Sequence, residues 1–461
     1  MSSALITDFS KKRFLVIDDL PLARDALRTV AQSVGAFMVE FATNYQDAIF
    51  RIRNNTPDII LCDYMLGDGR SGQQLLEELR RFELLPDETI FMMVTGEQSY
   101  EQVVSAVELV PDDYIIKPFS PDKLLLRLQR ITQKKQFFAK YYREKRRKEF
   151  TKALATLQAQ NNSDAAKPYR FEILRQQAEV LIKAGEPEAA ESAYRKILDN
   201  YEFPWARAGV ARALHSQNKL TEAREEIDRV VAHSPQYFDA ADLKANICMS
   251  QGEHAEAQQI LDDASRRTPR NYLRKRLLAE AATLNGDTAT ATATMADVIS
   301  NDTMPGAISA ADRLMQARSL VNAGDNITAE KVLFSLRESD VQNFDLDSQA
   351  SFSALLSIAS PGKGKPKFTG LRPALLDSTL SMPTHLDVMR ASLWLQDFEL
   401  ADRHAKHLMA DKEAKKIFNT VRSQYALHGR ENDFRNIQRQ VALQRIHHDE
   451  PKAEINESAA G

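Results

Sequence analysis

The chain has 461 residues, 43% of them apolar and 27% charged, with 16 Gly and 17 Pro. At roughly 100–200 residues per domain it holds roughly two to four domains, and its apolar content excludes wholesale disorder. A net charge of −3 excludes a basic nucleic-acid coat over the whole surface, and two cysteines, Cys62 and Cys248, exclude a disulfide framework.

Residues 1–10 read as an N-terminal tail without the apolar core of a signal peptide, and no run of about 18 apolar residues follows. The expected location is cytoplasmic. Arg13–Asp19 (RFLVIDD) is a short apolar run ending in two acids. Pro21–Val34 then carries Leu22, Ala26, Leu27, Val30 and Val34 at helical spacing and stops at Gly35. Further apolar runs at Asp58–Cys62, Thr89–Thr95 and Asp113–Ile116 alternate with helical patterns. Short apolar runs between amphipathic helices predict a doubly wound α/β domain, a parallel sheet covered on both faces.

In such a sheet the ligand sits beyond the carboxyl ends of the strands. Those ends carry Asp18 and Asp19, then Asp63, then Thr95 and Gly96, then Lys117 and Pro118. Converging carboxylates require a cation, and hard oxygen ligands suit Mg²⁺. A carboxylate beside such a metal can attack a phosphoryl group. Lys117 and the Thr95 hydroxyl would then stabilise the charge that builds on the phosphoryl oxygens.

Taken together and in this order, these motifs make residues 11–133 resemble the receiver domain of bacterial two-component response regulators. The resemblance implies a five-stranded, flavodoxin-like sheet with Asp63 as the phosphoacceptor. It further implies Mg²⁺ held by Asp19, Asp63 and the backbone carbonyl of Met65, with Asp18 assisting through water. Lys117 would contact the phosphoryl group, Thr95 would report it, and Tyr114 would be the aromatic whose orientation follows Thr95. The implied partner is a histidine kinase or phosphotransfer protein. Two positions depart from the family pattern. Gly67, in the loop GDGRSG, stands where the family has Pro, and Val110–Pro111 replaces a Gly before the last strand. Met65, two residues past Asp63, cannot orient an attacking water, whereas Glu97, two past Thr95, has a group that could; the reading is a long phosphoryl lifetime.

No Pro or Gly interrupts Leu124 to Phe150, and Leu124, Leu128, Ile131, Phe138 and Tyr142 form one stripe. The last receiver helix is therefore expected to run on into a basic helical linker, residues 134–164, with a short coiled coil and a homodimer as options. Residues 134–152 hold nine Lys or Arg against two Glu, interleaved with Phe137, Phe138, Tyr141, Tyr142 and Phe150. That composition suits helix packing, attraction to the acidic receiver, or nucleic acid bound by phosphate contacts and stacking. The last is the weaker reading, because no helix-turn-helix or RNA-module signature accompanies it.

Beyond a polar break the chain repeats itself. Gly185, Asn218, Gly252 and Gly286 mark turns at intervals of 33, 34 and 34, and Ala190, Ala223, Ala257 and Ala291 keep the same intervals. Ala211, Ala245 and Ala279 sit where first helices cross closely. This period of paired helices resembles the tetratricopeptide repeat, an all-α solenoid. The family's large aromatic on the first helix is missing, with Arg207, Ala241 and Lys275 in its place. Repeats are expected over residues 165–358, a fifth centring on Gly324. Ser360–Gly370 (SPGKGKPKFTG) reads as a break in the helices, with a flexible connector at 359–370. Divergent helical repeats are expected at 371–445, marked by Trp394, Phe398, Ala401 and Leu408, and a disordered tail at 446–461. His404 and His407 read as an exposed pair rather than a metal site.

Together these readings predict a response regulator phosphorylated on Asp63 whose output is protein binding by the concave face of repeats 170–340, a signalling adaptor and not an enzyme. The partner of that face is unknown from sequence. The alternatives are a constitutive scaffold or phosphate sink, and nucleic-acid binding through the linker. No membrane contact is expected.

Overall fold

The computed structural model describes residues 8–66, 71–81, 84–96, 111–234, 237–269, 271–301, 308–377, 379–410 and 415–449. Gly67, Glu97 and Val110 lie outside these residues, as does the chain from 450 onward.

Five strands, β1 (Arg13–Ile17), β2 (Met38–Ala42), β3 (Ile59–Asp63), β4 (Ile90–Thr95) and β5 (Asp113–Ile116), form one parallel sheet in the order β2-β1-β3-β4-β5. β4 is buried along its whole length and β3 up to Asp63, which is why both read as continuous apolar runs. Because side chains alternate along a strand, Phe14 and Val16 join Ile59, Leu61, Met92 and Val94 on one face. Helices α1 (Pro21–Ser33) and α4 (Pro121–Arg146) cover that face through Leu27, Ala31, Leu124, Leu128 and Ile131. Phe9 lies in this core against Phe14, so the segment expected to be a tail contributes to the domain. Cys62 and Met93 point the other way, where Gly72 of helix α3 (Gly72–Arg81) packs on them. Helix α2 (Tyr45–Asn54) is capped by Asn44, whose side chain accepts the Asp47 N–H.

Helix α4 is 26 residues long, about 39 Å at 1.5 Å per residue. Its apolar stripe is consumed within the chain rather than by a coiled-coil partner. The first half belongs to the receiver core. Phe138, Tyr141 and Tyr142 form a second core with Ala153 and Leu157 of α5 (Phe150–Asn161) and Ile173 and Val180 of α6 (Arg170–Lys183). The basic residues are also engaged. Lys135 pairs with Asp112 at 2.7 Å, Lys145 with Asp87 at 3.1 Å, Lys134 with Glu172 at 3.7 Å, and Arg146 with Glu88. Lys148, with φ 58°, ends the helix two residues before α5 begins.

By its contacts the chain divides into two compact units, residues 1–247 with 268–271, and 248–267 with 272–461. In the first, helix pairs Arg170–Lys183 with Pro187–Leu198 and Pro204–Ser216 with Leu220–His233 follow the receiver. Ala190, Ala211 and Ala223 are fully buried, and at Gly209 an added Cβ would meet the Tyr194 ring at 2.4 Å. The second unit continues with pairs Tyr272–Leu284 with Thr288–Asn301 and Ala310–Asn322 with Asn326–Phe334. Gly185, Asn218, Gly252, Gly286 and Gly324 all adopt left-handed φ between 59° and 80°, the conformation that ends one helix and starts the next.

Three expectations for the second unit need correction. From Pro361 on, the stretch expected as a flexible connector lies within a helix, Pro361–Asp377, despite Pro366 and Pro373 inside it. Pro361 opens it at a position that needs no N–H, Phe368 and Leu375 are buried, and Gly364 lies where a Cβ would be 2.3 Å from the Ser357 backbone. Its glycine therefore serves a helix crossing, not flexibility. The closing helix Glu431–Asp449 also extends into the residues expected to be a disordered tail. Finally, His404 is buried, with its Nδ1 2.6 Å from Nδ1 of buried His385, while exposed His407 stacks on His385 at 5.0 Å.

Candidate functional site: an acidic pocket at the strand ends

The strand order reverses between β1 and β3, so a crevice opens at their carboxyl ends. The parallel register aligns Ile17 with Cys62, and Asp63 with Val94, which brings the residues that follow β1 beside the end of β3. Asp18, Asp19 and Asp63 converge there, with one ligand oxygen from each lying within 4.8 Å of the others.

Asp18 is fully buried and each of its oxygens accepts a hydrogen bond. Oδ1 accepts the Leu20 N–H at 2.9 Å and Oδ2 accepts from Lys117 Nζ at 2.7 Å. Arg24 clamps the same turn from α1, its Nη1 donating to the carbonyls of Asp18 and Asp19 at 2.7 and 2.9 Å. Asp63 accepts a second hydrogen bond from Lys117 Nζ at 2.9 Å. Lys117 follows the end of β5, where its N–H donates to the Thr95 carbonyl at 2.8 Å, and the Lys117–Pro118 peptide is cis. The ammonium thus bridges the two acids.

The electrostatics follow from burial and charge. Burial raises the Asp63 carboxyl above its ordinary value, against the hydrogen bond and charge of Lys117, with Asp18 adding repulsion. Burial alone would lower the Lys117 ammonium, but its bonds to Asp18 and Asp63 and their charges hold it above its ordinary value. All three acids offer hard oxygen, the donor chemistry that Mg²⁺ takes, and the buried Asp18 leaves Asp19 and Asp63 as the more open ligands. The residues present fit the ion.

Around this pocket, Thr95 is buried and Tyr114 half-buried, with Tyr114 in register with Met93 two positions before Thr95. Burial raises the Tyr114 phenol, and the charge of Tyr64 adds to the rise. Met65 is exposed and bridges to Ser71, closing the loop after β3. Gly72 stands where a Cβ would meet the Asp63 carbonyl at 2.3 Å, so the start of α3 rests directly on the backbone of the acid. Sequence reasoning named the acids, Thr95, Tyr114 and Lys117. It missed Arg24 and Gly72, and only the second left a trace, as a glycine in the altered loop.

Residues 14–129 match the response regulator receiver domain family, and residues 181–247 match a tetratricopeptide repeat family. The N-terminal domain is a receiver domain. Tetratricopeptide repeats follow it. Over 123 residues the chain is 36% identical to the phosphate regulon transcriptional regulatory protein PhoB of Pseudomonas aeruginosa, covering 27% of this chain and 52% of that protein. It is 31% identical over 124 residues to the response regulator MprA of a Mycobacterium species, covering 26% of this chain and 51% of that one. The chain thus spans about half the length of these curated relatives. A solved CheY-like receiver domain protein from Methanospirillum hungatei is 28% identical, with TM-score 0.24, covering 27% of this chain and 96% of its own. A tetratricopeptide repeat protein from Parabacteroides merdae is 12% identical, with TM-score 0.37, covering 63% and 98%. No described helix is long and apolar enough to cross a membrane.

Proposed function

We propose that the chain is a response regulator whose receiver is phosphorylated on Asp63 by a histidine kinase or phosphotransfer protein, and whose output is protein binding by the repeats. The observation that carries this reading is helix α4, which belongs to the receiver core at one end and to the helical core at the other. A change at the strand ends that reaches α4 therefore has a rigid path to the first repeats.

In this reading Asp19, Asp63 and the Met65 carbonyl would hold Mg²⁺, and Asp18 would assist through water. The ion supplies charge neutralisation on the phosphoryl oxygens. An Asp63 oxygen attacks phosphorus, the P–N bond to the donor imidazole breaks, and an acyl phosphate remains on Asp63. Lys117 follows the new negative charge, giving up its bond to the Asp63 carboxylate for one to the phosphoryl group. Thr95 donates its hydroxyl to another phosphoryl oxygen, and Tyr114 follows it. Met65 brings no group that activates water, so the phosphoryl half-life is minutes or longer; decay of the labelled chain within seconds would refute that assignment.

The aromatics of the linker support packing rather than base stacking, because Phe138 and Tyr141 are fully buried and Tyr142 nearly so. The decisive test is labelling with acetyl phosphate and Mg²⁺ followed by intact-mass measurement. A single phosphoryl adduct is expected on the wild type and none on Asp63→Asn; an adduct that persists in the variant would refute the site.

A further inference from the structure

Within the second unit a cavity of about 200 Å³ opens beside helix Met382–Trp394. Its polar lining includes Arg390, Asn322, Thr288, Thr420, Ser423 and Gln424, and among the described residues no acid lines it. Among the described residues Arg390 is the one cation in that lining. Its Nη1 donates to Asn322 Oδ1, a neutral acceptor, and its Nε is buried with no hydrogen-bond partner. The neighbouring carboxylate, Asp387, has one oxygen engaged and the other buried without a hydrogen-bond partner. Asp387 Oδ2 accepts from Arg318 Nε and from the Ser351 hydroxyl, both at 2.8 Å, and no hydrogen bond joins Asp387 to Arg390. Glu280, which interacts with Arg318, has its carboxyl raised by burial, which favours its neutral form.

Two guanidinium groups thus share one carboxylate, Asp387, whose own value burial raises against the charges of Arg318 and Arg390. Burying a cation whose counter-charge is shared is costly, and burial lowers the Arg390 guanidinium from its ordinary value although the charge of Asp387 opposes it. The lining supplies what a small oxyanion requires: a fixed charge with planar N–H donors, hydroxyls that rotate to donate, and side-chain amides. Asn322, having given its oxygen to Arg390, keeps its NH₂ for the ligand. We propose that this cavity is a binding site for a small oxyanion, a phosphate or a carboxylate, with Arg390 as its counter-ion. The site lies far along the chain from Asp63 and does not depend on the reading of the receiver.

The test is calorimetric titration of the full chain with inorganic phosphate and, separately, with succinate. EDTA and a background of Asp63→Asn silence the receiver's acidic pocket. Saturable binding of one anion per chain is expected, weakened about ten- to a hundredfold by Arg390→Gln, the range for one hydrogen-bonded charge. Ser423→Asp, on the exposed rim, is expected to abolish binding by supplying an internal carboxylate, and it decides the matter if Arg390→Gln fails to fold. Binding of phosphate alone, or of succinate alone, supports the site and identifies the class of ligand. No saturable binding of either anion, or equal binding by the wild type and the folded variants, would overturn the proposal.

Discussion

Lys117 holds two acids that would otherwise repel each other, Asp18 at 2.7 Å and Asp63 at 2.9 Å, and the balance is incomplete at Asp63. Because the folded-state value of Asp63 is raised, its carboxyl contributes most to stability when protonated, below the unfolded value of 3.8, and that contribution is lost as pH rises through the folded value. At neutral pH the ionised Asp63 is thus a burden on the Mg²⁺-free fold. Asp63→Asn is expected to raise the unfolding midpoint of the receiver in EDTA at pH 7, and to lose that advantage at pH 3; a lower midpoint at pH 7 would contradict the assigned electrostatics. Gly72→Ala is expected to do the reverse. Its Cβ meets the Asp63 carbonyl at 2.3 Å, so backbone must shift, at a cost of about 1–3 kcal/mol by denaturant unfolding. The acids and Lys117 were legible in sequence because each ends an apolar run. Arg24 was not, since its partners are backbone carbonyls that no side-chain pattern announces.

Among the elements, the interhelix turns show how local chemistry sets the repeat. Gln396 and Gly429 adopt the same left-handed backbone as the earlier turns, φ 64° and 68°, and lie 33 residues apart. The period that degrades after Gly286 therefore returns near the end of the described chain. It escaped notice because Gln, unlike Gly or Asn, does not signal that conformation. A left-handed non-glycine residue costs about 1–2 kcal/mol, part of which glycine forfeits in unfolded-state entropy. Gln396→Gly is accordingly expected to stabilise the second unit by about 0.5–1 kcal/mol, and Gly286→Ala to destabilise it by about 1 kcal/mol, both read from denaturant midpoints. The buried histidines offer a second test. The Leu380 N–H donates to His385 Nε2, which leaves the His385 proton on Nδ1 to be donated to His404. Burial lowers His385 from 6.5 to about 4 and His404 to about 3, with Asp347 opposing at the first and Arg403 adding at the second. Depressed histidines keep their full contribution above pH 6.5 and lose it as the pH falls toward 4, by up to about 1.4 kcal/mol per pH unit for each proton. Urea unfolding followed by Trp394 fluorescence, in a Trp205→Phe background, should show that loss, and His404→Leu should flatten it.

At the scale of the molecule, α4 decides how the receiver can act. A receiver joined by a flexible tether would confine a phosphoryl-dependent change to its own surface. Here Leu128 and Phe138 lie on one continuous helix but in two different cores. Hydrogen exchange on the full chain with Mg²⁺ and beryllofluoride, a phosphoryl mimic, is expected to change protection at the strand ends, along α4, and in α5 and α6. Changes confined to the segments around Asp63, Thr95 and Lys117 would show a working pocket uncoupled from the repeats, a scaffold or phosphate sink. Sequence alone determined the alternation of strand and helix, the acids at the strand ends, and the 34-residue recurrence of turns, because each rests on local spacing that any chain with those residues must satisfy. Only the tertiary structure decided what the linker stripe packs against, that residues 361–370 lie within a helix, and that Arg390 shares its carboxylate with Arg318. Those outcomes depend on which distant residues occupy the same space. A glycine looks the same in sequence whether it frees a loop or admits a neighbouring helix, and an arginine looks the same whether or not its counter-ion is shared.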